Sequence, residues 1–149
     1  MKTIFDPAHR AEILRRIDSL TTDSKAAWGK MTVAQMVRHC SLCEAYYQGM
    51  SPVNRSFIGR LIGRHALKSI LKEETAGLRK NAPTARQFIV SAPPDDLEAE
   101  KIRWKELIEN YSTYNQEVFV HWFFGSMTRE QLGRFIYKHC DHHLTQFLA

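Results

Sequence analysis

Thr128-Arg129-Glu130-Gln131-Leu132-Gly133-Arg134-Phe135-Ile136-Tyr137-Lys138-His139-Cys140-Asp141-His142-His143-Leu144-Thr145-Gln146-Phe147 is the stretch from which the rest of the chain can be read. Its first four residues match a capping box. The threonine hydroxyl and the glutamine side chain each satisfy a backbone donor that a helix start leaves open. Leu132, Phe135, Ile136, Leu144 and Phe147 follow at helical spacing, which predicts one long helix with one buried face. His139 and His143 share that face, about 40° apart around the axis and about 6 Å along it. Two imidazoles so placed can converge on one cation. His142 lies further round, toward the edge of the apolar stripe.

One helix cannot complete such a site. The nearest candidate donor in pattern is His39. Thr32-Val33-Ala34-Gln35 is a second capping box, and the helix it opens carries Met36, Cys40, Cys43 and Tyr47 on its apolar face. His39 falls between Met36 and Cys43 on the inward side. A buried imidazole without a partner is costly, and one divalent metal would satisfy three at once. Three nitrogen ligands leave a coordination position open, the pattern of a catalytic site. The competing reading makes all three ordinary core histidines with local hydrogen bonds, and His-x3-His spacing alone does not choose between them.

The remaining segments supply the scaffold. Asp6-Pro7 reads as an N-cap and first helical residue, with Ile13, Leu14, Ile17 and Leu20 behind it. Trp28-Gly29-Lys30-Met31 is a connector. Residues 54–74 are expected to be helical, with Phe57, Ile58, Leu61 and Ile62 as one face and Arg60, Arg64, Lys68 and Lys72 beside it. Gly59 and Gly63 weaken that helix or permit close packing. Residues 75–95 hold Gly77, Pro83, Pro93 and Pro94 and read as a long connection. A further helix runs from Asp95-Asp96 to about Tyr111. Residues 114–124 read as extended and could pair with 87–91, with Gly125 and Ser126 breaking the strand. The expected fold is all-α: an antiparallel four-helix bundle in a single domain, 1–149, with an extra helical segment and a short two-stranded hairpin.

Composition narrows the function classes. The 149 residues are 44% hydrophobic and 25% charged, near the globular average. No apolar run reaches the length of a membrane span. Met1-Lys2-Thr3-Ile4-Phe5-Asp6-Pro7 lacks a signal-peptide core, so a cytoplasmic location is expected. Three cysteines are too few and too odd for a disulfide framework. A net charge of +5 favours anionic partners but is too dispersed to imply nucleic acid.

Several other residues carry two readings. Cys43 could be a ligand or a reactive thiol, and a small buried hydrophobe is the favoured reading. Cys40 and Cys140 read as packing residues. Gln146 could support a ligand histidine, although a solvated position is favoured. His121 could line a pocket, although a packed histidine is favoured. Asp141 lies opposite the proposed site. The basic row at 60–72 could meet a carboxylate-bearing thiol cofactor or a membrane surface, against the favoured reading of a solvated face. No inward Asp or Glu is evident near the proposed ligands, so no general base is assigned.

Two stretches carry a family resemblance. Trp28-Gly29-Lys30-Met31-Thr32-Val33-Ala34-Gln35-Met36-Val37-Arg38-His39-Cys40 resembles the N-terminal signature of DinB/YfiT-like proteins. The closing stretch does the same, from Phe123-Phe124-Gly125-Ser126-Met127-Thr128 through Gly133-Arg134 and Tyr137–Phe147. Asn81-Ala82-Pro83-Thr84 also fits. Within that superfamily the chain is most similar to an uncharacterised family of domains of unknown function. The resemblance implies a four-helix bundle with a three-histidine metal site, and those roles fall on His39, His139 and His143. It further implies zinc or nickel as the metal and a low-molecular-weight thiol as cofactor, because characterised relatives include thiol S-transferases and a thiol-dependent isomerase.

The expected function is therefore a metal-dependent enzyme acting on a small molecule, of thiol-transferase or hydrolase type. The alternative is a non-catalytic metal-binding or interaction domain. A homodimer is expected through the apolar face of residues 54–74.

Overall fold

The computed structural model describes residues 1–72 and 77–149. The end of the helix expected over 54–74 and the start of the connection expected over 75–95 lie outside the described residues. Within them the chain forms five α-helices and one two-stranded sheet: α1 Pro7–Asp18, α2 Val33–Tyr47, α3 Phe57–Lys72, α4 Leu97–Glu109, β1 Val118–His121, β2 Gly125–Thr128 and α5 Arg129–Gln146.

The helix starts follow the side-chain chemistry. The Asp6 carboxylate accepts from the amides of Ala8 and His9, with Pro7 as the first helical residue of α1. Thr32 and Gln35 exchange hydrogen bonds at the head of α2, and Thr128 and Gln131 repeat the arrangement at the head of α5. Asp96 caps α4. At the far end of α1 the ammonium of Lys101, from α4, donates to the carbonyls of Asp18 and Leu20. A buried lysine thus satisfies the carbonyls that the end of α1 leaves open.

Packing follows the apolar faces. α2 lies against α4, α1 against α4 and α5, and α2 against α5. Ile13 and Ile17 of α1, Met36 and Cys40 of α2, Trp104 and Ile108 of α4, and Leu132, Ile136 and Leu144 of α5 are fully buried. Each large apolar side chain removed from water contributes about 1.5–3 kcal/mol.

α3 stands apart from that set. It packs on α5 and on the β1–β2 hairpin. A Cβ added at Gly59 or Gly63 would overlap the backbone of Phe123, so the glycines let helix and hairpin touch main chain to main chain.

The hairpin corrects the expected pairing. β1 pairs with β2, with His121 opposite Gly125 and Val118 opposite Thr128, not with residues 87–91. Gly125 begins β2 instead of breaking the strand. Its φ of +83° suits the residue that closes a three-residue hairpin turn. Residues Arg86–Phe88 form a 3-10 turn that buries Phe88. The turn ends at Phe88, and Ile89 beyond it is exposed.

Candidate metal centre

α2 and α5 bring His39, His139 and His143 together. Their ring centroids are 5.5 Å apart for His39–His139, 4.9 Å for His39–His143 and 4.8 Å for His139–His143. All three are buried, at 6–8% exposure.

Their hydrogen bonds set which nitrogens are free. Nδ1 of His39 lies 2.8 Å from the Phe88 carbonyl oxygen. A carbonyl only accepts, so Nδ1 carries the proton and Nε2 keeps its lone pair. The Gln146 amide nitrogen donates to the Trp28 carbonyl at 2.8 Å, and its oxygen lies 3.0 Å from Nδ1 of His143. That orientation again leaves Nε2 with the lone pair. Nδ1 of His139 is buried and has no hydrogen-bond partner.

The electrostatics keep the cluster neutral. Burial pushes His39 below its ordinary range, against a smaller upward pull from the Phe88 carbonyl. Burial, then the neighbouring His143 and His39, pushes His139 down well below it. Burial, with His39 adding to it, pushes His143 down to about 3. Imidazoles that stay neutral at physiological pH offer lone pairs to a cation.

Thiols border the same space. Sγ of Cys43 is 3.7 Å from Nε2 of His39. Two overlapping donor groups have all their ligand atoms within 4.8 Å of one another: His39, Cys43 and His139, and Cys40, His139 and His143. Each holds two of the three histidines and a cysteine, and neither holds all three histidines. The Cys40 thiol, expected to be packing alone, also contacts the sulfur of Met36 at 3.7 Å. Burial pushes both thiols well above their ordinary values, so they are protonated as the site stands.

Gln146 corrects its expectation. It is buried and bridges His143 to the Trp28 connector. Gly29, at φ +82°, makes room for it, since a Cβ there would fall 2.7 Å from the Gln146 amide nitrogen.

Glu44 is the residue that sequence reading missed. Its side chain, on α2, is fully buried. It accepts hydrogen bonds from the Tyr111 hydroxyl and, at 3.3 Å, from the Cys140 thiol. Burial raises its carboxyl to about 7, although both donors pull it down. The available signal was spacing: Glu44 follows Met36 and Cys40 at four-residue steps, on their buried stripe.

The other candidates fall outside the cluster. Nδ1 of His121 accepts from the amides of Phe123 and Phe124, at 3.1 and 3.2 Å, so the ring closes the hairpin turn. His142 is half-buried beside Trp28, with ring centroids 5.6 Å apart. Asp141 pairs with Arg16 at 2.7 Å, and Arg38 with Glu100 at 2.9 Å, both away from the histidines. Arg60, Arg64, Lys68 and Lys72 are exposed on α3.

Over residues 6–149 the chain matches the family described as "Protein of unknown function (DUF1569)". The chain belongs to that family. The DUF1569 match takes in both capping boxes, the three histidines, Glu44 and Gln146. No curated protein and no solved structure matches the chain.

Proposed function

We propose that His39, His139 and His143 hold a divalent metal, and that α1, α2, α4 and α5 are the four-helix bundle of a single DinB/YfiT-like domain built around it. The observation that carries this reading is the unpartnered, buried Nδ1 of His139 beside two imidazoles whose Nε2 atoms keep their lone pairs, that of His39 met only by the weak donor Cys43 Sγ at 3.7 Å. In a buried site that polar atom is costly unless something accepts its lone pair or proton. The donor set is all nitrogen and neutral, which suits zinc or nickel.

The bound metal would supply Lewis acidity, making a thiol or water nucleophilic near neutral pH. The protein's own groups do the positioning. The Phe88 carbonyl and the Gln146 amide hold two imidazoles with Nε2 turned away from their hydrogen bonds, as supporting groups do in metal sites. His142, half-buried, lies beside His143, with ring centroids 5.1 Å apart, and the half-buried Trp28 ring lies beside His142. The reading is a metal-dependent enzyme on a small electrophile, of thiol S-transferase type, in the cytoplasm. Its test is a screen of low-molecular-weight thiols against electrophiles with metal-loaded protein. Turnover should vanish in His143→Ala with helicity intact. Turnover that survives complete metal removal would contradict the reading.

A second reading follows from Cys43. If its thiol releases its proton to solvent on binding the metal, three imidazoles and one thiolate would close a tetrahedral shell, the pattern of a structural or sensing site. Cys43→Ala separates the two. Retained metal and turnover support the open, catalytic site, and loss of metal supports the closed one.

A further inference from the structure

α3 presents a face that nothing in this chain covers. Phe57, Ile58, Leu61 and Ile62 are 75%, 60%, 72% and 52% exposed. The opposite face of the helix is fixed, because Gly59 and Gly63 lie against the Phe123 backbone and the Ser56 amide donates to the Trp122 carbonyl at 2.9 Å. The helix therefore cannot roll to bury the apolar residues. On β1, in the hairpin that seats α3, Val118 and Val120 are exposed as well. Contiguous exposed apolar surface on a folded domain marks an interaction site.

Charge says what covers it. Arg60, Arg64, Lys68 and Lys72 are exposed on the same helix, and residues 54–72 contain no Asp or Glu. The next acidic residue in the sequence is Glu73. A second copy docked face to face would set two such basic rows against each other, and like charges oppose that contact. Aromatic and aliphatic side chains beside a row of Arg and Lys match the two layers of an anionic bilayer surface. The apolar side chains enter the acyl boundary and the cations meet the headgroups.

We propose that α3 is a membrane-surface helix. Phe57, Ile58, Leu61 and Ile62 dip into an anionic lipid surface, and Arg60, Arg64, Lys68 and Lys72 contact its phosphates. The protein lies on the membrane without crossing it; among the described residues no helix is long and apolar enough to span. This surface is independent of the histidine cluster.

The test is co-sedimentation of the full chain with phosphatidylcholine vesicles, with and without roughly one third phosphatidylglycerol, enough to give the surface potential that attracts basic segments. Wild type should pellet with the anionic vesicles, stay soluble with the neutral ones, and release as salt rises. Arg60→Gln/Arg64→Gln should weaken partitioning about thirtyfold, since each cation near an anionic surface contributes about 1 kcal/mol. Ile58→Ser/Leu61→Ser should abolish it. Both variants change exposed positions, and unchanged circular dichroism checks that they fold. Wild type left in the supernatant with anionic vesicles overturns the proposal, as does equal binding to neutral vesicles or binding that survives Ile58→Ser/Leu61→Ser. A dimer by light scattering that Ile58→Ser/Leu61→Ser converts to monomer would assign the face to a second copy and overturn it too.

Discussion

Nδ1 of His39, on α2, lies 2.8 Å from the carbonyl oxygen of Phe88, in the connection between α3 and α4. A loop carbonyl therefore sets the tautomer of a core imidazole. Phe88 anchors that loop by burying its own ring against Tyr46, with centroids 5.4 Å apart. Phe88→Ala should cost about 3–5 kcal/mol of stability through the cavity it leaves. On the proposed metal reading it should also weaken metal binding, by up to roughly 10–100-fold, because the loop that carries the supporting Phe88 carbonyl loses its anchor. Denaturant unfolding and chelator competition measure the two effects separately.

Gln146 supports His143 in the same way from the other side of the cluster. Gln146→Leu removes the acceptor at Nδ1 and should weaken metal binding by roughly 10–100-fold. Gln146→Glu keeps the acceptor at Nδ1 but loses the donor to the Trp28 carbonyl, so it should recover only part of the affinity. Equal loss in both variants would mean that the bond to Trp28, and not the acceptor at Nδ1, holds the ring.

Glu44 gives a pH signature. Its carboxyl is raised to about 7 in the folded protein from an ordinary value of 4.5. Between those values the native state binds more protons than the unfolded chain, so this group lowers stability as pH rises through the window. Glu44→Gln removes that penalty. The variant should gain on wild type from pH 4.5 upward and level off above pH 7, by on the order of 3 kcal/mol. Urea titrations at several pH values test it. A constant difference across the range would show that the carboxyl does not titrate there.

His121 bends the profile the other way. Burial, aided by the Arg55 guanidinium, lowers it to about 3. The unfolded chain binds the extra proton below an ordinary value of 6.5, so stability falls as pH drops from there toward 3. His121→Asn should flatten the acid limb of the stability curve.

Gly63 tests the seating of α3. A Cβ at this position overlaps the Phe123 carbonyl. Gly63→Ala should therefore cost about 1–3 kcal/mol, as overpacking does, despite alanine's better helix propensity. A stabilised variant would mean that α3 can shift off the hairpin freely.

The helices were legible because their starts carry local chemistry. Asp6, Thr32, Asp96 and Thr128 each cap where the spacing places them. The histidine cluster was legible because four-residue spacing fixes a helix face and both helices show one apolar stripe. The hairpin partner was not. Phe88-Ile89-Val90 looks like a strand, but only the assembled core shows that Phe88 is needed inside. Glu44 was hidden by its charge, which reads as a solvated position unless Tyr111 and Cys140, distant in sequence, are known to reach it. Gln146 was hidden in the same way, since its partner Trp28 lies 118 residues earlier.

A metal shared by three imidazoles would be bound at one ion per chain. The most direct measurement is metal content by plasma mass spectrometry on untagged protein, for wild type, His39→Ala and His143→Ala, with helicity checked by circular dichroism. Wild type should hold close to one metal per chain, lost in both variants while the helices remain. Wild type that holds no metal, even after exposure to zinc, nickel and manganese, would contradict the shared metal and return the three histidines to the packing of the core.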